Sequence, residues 1–184
     1  KAGVSAQLKS SVILAGLNSY GTTEIIEEYE SRDHTERMMI NNTRALKIEK
    51  GKKKIIKVYG KKDLNPFHIN IPGDPSASAF FAALTLMNKN SSLKIKNVGL
   101  NSTRTGFYQL LKKQNAKISF INLKKENNEL RGDILIKSCN LKPIKSSKEF
   151  YPSTADEFPI LFVIAALTNG TSIFKGIKDL ANKE

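Results

Sequence analysis

Tryptophan is absent from these 184 residues, cysteine occurs once, at Cys139, and histidine twice, at His34 and His68. A lone thiol cannot close an internal disulfide, which suits a reducing cytoplasmic setting. Two histidines and one cysteine, scattered along the chain, are too few to suggest a metal site. Long apolar runs are also missing. The longest, Ile160 to Leu167, is far too short to span a bilayer. The apolar stretch after Lys9 lacks the length and cleavage pattern of a secretory signal. Acidic residues are scarce: 17 Asp and Glu stand against 30 Lys and Arg, a formal net charge of +13. That excess favours an anionic partner, either nucleic acid or a small polyanionic substrate. The competing reading is that lysines decorate solvated faces. The run from Lys47 to Lys62 fits it, with lysines flanking Ile55, Ile56 and Val58 in a hairpin around Gly51. That run has one aromatic, Tyr59, and no ladder of rings of the kind single-strand binders use.

What is present is enough for a core, since hydrophobic residues make up 40% of the chain. The length suits one medium domain or two small ones. The chain begins at Lys1 on a helix-like pattern and ends at Glu184 just after a strand-like one, so it reads as an internal piece of a longer protein.

A recurring order of elements runs along it. The first unit opens at Ser5-Ala6-Gln7 with a helix through Val12, Ile13, Leu14 and Leu17. A strand is expected at Thr22 to Glu27, a helix at Ser31 to Met39, and strands at Ala45 to Glu49 and Lys54 to Tyr59. The second unit opens at Gly73-Asp74-Pro75-Ser76 with a helix through Phe80, Phe81, Leu84 and Leu86. Then come a strand at Ser92 to Val98, a helix at Thr103 to Gln114, and strands at Lys117 to Leu123 and Asp133 to Lys137. The third opens at Asp156-Glu157-Phe158-Pro159, with a helix through Ala166 and a strand at Thr171 to Gly176. The openings are unevenly spaced, unlike a stacked solenoid, and suggest repeats closing into a globular α/β domain. The first helix of each unit is apolar on most faces, which predicts burial. Gly73-Asp74-Pro75 marks a joint, with aspartate suited to a cap and proline to the first helical position.

Several helix starts could seat phosphate. Ser5-Ala6-Gln7 offers a hydroxyl, unobstructed backbone N–H groups and an amide, where the helix dipole favours an anion. Ser31-Arg32 adds a guanidinium able to grip phosphate at two points. Asp33 and Glu36 have capping-box spacing. Each feature alone is more often a cap or a surface residue: Ser5, Asp74 and Asp156 as caps, Arg32 as a salt-bridge partner. From these features alone the chain is a basic, repeated α/β protein with seats for anions.

Longer strings narrow this. Ser5-Ala6-Gln7-Leu8-Lys9-Ser10 resembles the SAQ-x-K-S motif of bacterial EPSP synthases, and Ser31 to Met38 reads as that family's SRDHTERM string in full. Pro72 to Ser76 resembles its PGD-x-S segment, Asn101 to Gly106 its N-x-TR-x-G segment, and Asp156 to Pro159 its DE-x-P segment. Lys183-Glu184 would open its KESDR string. The strings stand in family order across nearly the whole chain, and the ordered set is specific where one alone would be weak.

The resemblance implies the enolpyruvyl transferase fold: two domains of repeated βαβαββ units, with the active site in the cleft between them. Residues 1–72 would belong to the first domain and residues 73–184 to the second, both truncated. It implies transfer of the enolpyruvyl group of phosphoenolpyruvate to the 5-hydroxyl of shikimate 3-phosphate, releasing phosphate. No redox cofactor, no metal, no nucleic acid and no membrane enter, and the full-length protein would be a cytoplasmic monomer. In the matching positions, Ser5 and the backbone at Ala6 would bind the substrate phosphate, with Ser31 and Arg32 closing around it. Gln7 would sit near the shikimate ring. Asp156 would hold the 5-hydroxyl and take its proton. Lys183 would bind near that hydroxyl, and Glu184 would serve proton transfer at the phosphoenolpyruvate methylene. Two departures stand out. Many relatives carry a second serine where Ala6 stands, and Asp179 falls where some place an asparagine.

Two other readings compete. The sister enolpyruvyl transferase acting on UDP-N-acetylglucosamine shares the fold but uses a loop cysteine, and Cys139 lies without matching context in a lysine- and serine-rich stretch. A basic nucleic-acid-binding module rests on charge alone, and no known nucleic-acid motif accompanies it.

Overall fold

In the computed structural model, which describes residues 5–40 and 43–182, the apolar periodicity becomes a recurring helix–strand–helix–strand–strand order. The first copy is α1 (Ala6–Asn18), β1 (Thr22–Glu27), α2 (His34–Ile40), β2 (Leu46–Lys50) and β3 (Lys54–Tyr59). The second is α3 (Pro75–Met87), β4 (Ser92–Gly99), α4 (Gly106–Lys113), β5 (Lys117–Glu126) and β6 (Glu129–Lys137). Then follow β7 (Lys145–Ser146), α5 (Tyr151–Thr154), α6 (Phe158–Ala166) and β8 (Ile173–Phe174). Both complete copies make a three-stranded sheet with the last strand in the middle, in the orders β1-β3-β2 and β4-β6-β5. Shared topology, and not element order alone, identifies them as repeats. The chain divides into two compact units after Asn70, with Asn127–Glu129 grouped with the first.

In the first unit, β3 lies antiparallel to both neighbours, with Ile25 opposite Ile56 and Glu27 opposite Lys54. Side chains alternate across a strand, so Ile25 and Glu27 share one face with Lys54, Ile56 and Val58. α1 covers that face with its buried stripe Lys9, Ile13, Gly16 and Leu17, at helical spacing. Ile13, Ile25, Met39, Ile56 and Val58 form the core, each large aliphatic contributing about 1.5–3 kcal/mol on burial. After β3 the chain passes hard against the end of α1. A Cβ on Gly60 would stand 1.8 Å from the Ser19 carbonyl oxygen, so only glycine fits.

In the second unit, Asp74 caps α3 by accepting from the amides of Ser76 and Ala77, with Pro75 in the first turn. Phe107, Tyr108, Leu110, Leu111, Ile134, Ile136 and Phe158 build the core. α3 buries a face of mostly small residues, with Ala79, Ala82 and Ala83 alongside Leu86, while Phe80, Phe81 and Leu84 are 58%, 60% and 59% exposed. The predicted burial of this helix on most faces is therefore not met within these residues. Small side chains let α3 approach β4 closely, and Phe80, Phe81 and Leu84 point away from the core.

β5 and β6 run longer than expected, to Glu126 and from Glu129, and three other boundaries shift for local reasons. α2 starts at His34 and not at Ser31, because the Glu27 carboxylate accepts from both the amide and the hydroxyl of Ser31 and holds residues 31–33 outside the helix. α4 starts at Gly106 and not at Thr103. The Asn101 side chain accepts from the amide and hydroxyl of Thr103, each at 2.9 Å, making a turn that competes with helix. The strand expected over Thr171 to Gly176 contracts to Ile173–Phe174, bracketed by Gly170 and Gly176 at φ of 109° and 76°. No helix among the described residues is long and apolar enough to cross a membrane.

Candidate functional site

Ser5 is the N-cap of α1, and its Oγ accepts from the Leu8 amide at 3.2 Å. Acceptance through a lone pair leaves the O–H proton for another acceptor. Ala6 and Gln7 follow in the first turn, where helix amides have no intrahelical partner. Ser5 and Gln7 are exposed and Ala6 is half-buried. The start of α1 therefore presents a hydroxyl, backbone N–H groups and the Gln7 amide, a donor-rich surface at the positive end of a helix dipole.

Ser31 and Arg32 lie in the segment before α2, with Ser31 buried and Arg32 half-buried. The Ser31 amide and hydroxyl donate to Glu27 Oε1 at 2.9 Å and 2.6 Å. The same carboxylate receives Lys9 from α1, whose Nζ stands 2.8 Å from Glu27 Oε1 and 2.8 Å from Glu36 Oε1. Lys54 completes the group, its Nζ 2.9 Å from Glu27 Oε2 and 3.2 Å from Glu36 Oε1. Two ammonium and two carboxylate groups thus share one buried, charge-balanced cluster. Ser10 Oγ and Thr35 Oγ1, 2.8 Å apart, tie α1 to α2 beside it.

Burial alone would raise the Glu27 carboxyl, but the hydrogen bonds from Lys9, Ser31 and Lys54 outweigh it and bring its pKa from 4.5 down to about 2. Burial alone would lower Lys54, but Glu27 and Glu36 outweigh it and raise its pKa. All four groups belong to a low-dielectric site in which separating one partner from the rest is costly.

The cluster connects two of the predicted anion seats. The Lys9 amide donates to the Ser5 carbonyl at 3.1 Å, Lys9 Nζ reaches Glu27, and Glu27 holds Ser31. One continuous set of contacts therefore joins the start of α1 to the segment carrying Ser31 and Arg32.

Asp156 lies in the second unit, exposed, in the turn that links α5 to α6. The expectation that it caps the helix is corrected: Glu157 occupies the N-cap position of α6. α5 ends at Thr154, so Asp156 sits on a short connection between two helices. Lys183 and Glu184, the other predicted site residues, lie outside the described residues.

Lys9, Glu27, Glu36 and Lys54 were given no site role from the sequence. Lys54 belongs to the run read as solvated, yet only 11% of its side chain is exposed, and that of Lys9 is at 0%. Glu36 turns its carboxylate to these lysines, although its spacing from Asp33 had suggested a capping box. A signal was available: in the strand TTEIIE, Glu27 falls on the face of Ile25, and Lys9 falls one turn before Ile13 on the buried stripe of α1. Cys139, the thiol of the competing nucleotide-sugar reading, is partly buried and packs against the hydrophobic core of the second unit. It behaves as a small apolar side chain.

Known proteins share this sequence and fold. Residues 2–184 match the family model of EPSP synthase (3-phosphoshikimate 1-carboxyvinyltransferase). The chain is 41% identical over 181 residues to the 3-phosphoshikimate 1-carboxyvinyltransferase of Zymomonas mobilis, covering 98% of this chain and 40% of that protein. It is 42% identical over 182 residues to the enzyme of the same name from Aquifex aeolicus, covering 98% of this chain and 42% of that protein. The solved structure of EPSP synthase from Acinetobacter baumannii superimposes with a TM-score of 0.85 at 36% identity, covering 98% of this chain and 40% of that one. The chain thus spans about 40% of the length of the curated relatives it matches.

Proposed function

The chain belongs to the EPSP synthase family, and from that premise we propose that its full-length protein transfers the enolpyruvyl group of phosphoenolpyruvate to shikimate 3-phosphate. The observation that carries this reading is the buried join of Ser5 and Ser31 through Lys9 and Glu27, which holds two anion seats as one arm. In this reading Ser5, the backbone at Ala6 and Arg32 take the substrate phosphate, Ser31 joins them by turning its hydroxyl from Glu27, and Gln7 contacts the shikimate ring. Fixed N–H donors and a guanidinium suit a dianion that must be oriented and not merely attracted.

Asp156 then accepts the proton of the 5-hydroxyl as its oxygen bonds to C2 of phosphoenolpyruvate, while the methylene carbon gains a proton. In the second step the C2–O bond to phosphate breaks and the methyl group returns a proton, giving the enol ether and free phosphate. Glu184 serves the proton transfer at that carbon, and Lys183 binds near the 5-hydroxyl and offsets the charge of Asp156. Residues 1–72 are assigned to the first family domain and residues 73–184 to the second, each incomplete. The full-length protein is assigned as a cytoplasmic monomer.

The test is to express the full-length protein and follow phosphate release. Release that requires both phosphoenolpyruvate and shikimate 3-phosphate is the expected result. No release from folded protein with both substrates would reject the assignment.

A further inference from the structure

Asp156 is followed directly by a second acid, Glu157, and the two are held very differently. Asp156 is exposed, whereas Glu157 is 4% exposed. Ser76 Oγ, in the first turn of α3, donates a hydrogen bond to Glu157 Oε1. Ser76 Oγ in turn accepts from Arg104 Nη2 at 2.6 Å, and the same nitrogen lies 2.9 Å from Asp74 Oδ1. Asp74 is the cap of α3. Arg104 comes from the turn made by Asn101, whose carbonyl accepts from the Arg104 amide at 2.9 Å. Three separate segments, the start of α3, the turn at residues 101–105 and the start of α6, therefore meet at one serine hydroxyl.

The turn bearing Asp156 is pressed from its other side as well. A Cβ on Gly106 would stand 2.2 Å from both Ser153 Oγ and Thr154 Oγ1, so α4 begins in direct contact with the end of α5. Tyr108 secures α4 to the start of α3, its hydroxyl donating to the Pro75 carbonyl at 3.0 Å.

We propose that Arg104, Ser76 and Glu157 are positioning residues for Asp156. They fix the α5–α6 turn by anchoring its second acid, and they keep Glu157 from serving as an alternative base. A carboxylate that accepts from a hydroxyl already polarised by a guanidinium is held in place and charge-compensated. This rests on the function proposed above, since it concerns the residue assigned there to proton transfer.

The experiment uses the full-length protein carrying Ser76→Ala, Glu157→Ala or Glu157→Gln, with steady-state kinetics, titration of shikimate 3-phosphate and thermal melting. Misplacing a reacting group by an ångström can cost up to about 100-fold. Ser76→Ala and Glu157→Ala are expected to lower kcat by roughly 10- to 100-fold, with affinity for shikimate 3-phosphate within about twofold of wild type. Glu157→Gln keeps an oxygen to accept from Ser76 and is expected to recover kcat to within about threefold. Wild-type turnover with unchanged kcat in Ser76→Ala and Glu157→Ala would overturn this proposal alone. A parallel loss of kcat, affinity and melting temperature in all three variants would also overturn it, as general loosening. A folded wild-type protein without turnover would overturn the proposed function and this proposal together.

Discussion

Lys9 Nζ stands 2.8 Å from Glu27 Oε1, with the two side chains at 0% and 1% exposure. The pair links α1 to β1 and completes a buried cluster with Glu36 and Lys54. Removing one member strands a charge in a low-dielectric site, whereas removing opposite charges together does not. Lys9→Met in the full-length protein is expected to cost about 3–5 kcal/mol. Lys9→Met with Glu36→Gln leaves Glu27 paired with Lys54 and is expected to recover most of that loss. Chemical denaturation followed by circular dichroism checks both. Equal stability of Lys9→Met and wild type would contradict the structural role given to the cluster.

The cluster also sets an acid limit. The Glu27 pKa falls from 4.5 to about 2 on folding, so the folded state favours its charged form. Its contribution is complete above pH 4.5 and is lost as pH falls toward 2. Such a shift corresponds to at most about 3 kcal/mol. Stability of the wild-type protein is expected to decline through this window, and that of Glu27→Gln to be lower at neutral pH but flatter below pH 4.5. Denaturation midpoints between pH 2 and 7 measure the difference.

Gly60 tests the packing of the first unit. A Cβ there would lie 1.8 Å from a backbone oxygen of Ser19, and backbone cannot rotate away as a side chain can. Gly60→Ala is expected to destabilise by about 1–3 kcal/mol or more, read from the same denaturation curves. The start of α1 lies at the opposite end of that helix, so affinity for shikimate 3-phosphate is expected to change less than stability.

In the proposed function, Asp156 separates binding from chemistry. Asp156→Ala is expected to lower kcat by about 100- to 10,000-fold, the usual contribution of a general base. Affinity for shikimate 3-phosphate should fall far less, because the proposed function places the phosphate on other residues. Steady-state kinetics and ligand titration distinguish the two. A loss confined to affinity would remove the proton-transfer role.

The repeated unit was legible because each copy alternates a 3.6-residue period with a 2-residue one, and β1 and β3 keep the predicted bounds, Thr22–Glu27 and Lys54–Tyr59. The cap at Ser5 was legible because a cap before an apolar helix is a local feature. The cluster beneath it was not. Each lysine has a solvated alternative, and only the pairing of Glu27 with Lys54 across β1 and β3, with α1 laid over them, makes burial favourable. Asp156 was read as a helix cap because α5 is too short, at four residues, to show a period of its own.

Titration of the full-length protein with shikimate 3-phosphate and, separately, with unphosphorylated shikimate measures the phosphate arm itself. Charge-assisted hydrogen bonds contribute about 1.5–3 kcal/mol each, so two or more should favour the phosphorylated ligand by roughly 100-fold or more. Arg32→Ala should shrink that ratio without abolishing shikimate binding. Equal affinity of the wild-type protein for the two ligands would contradict the account.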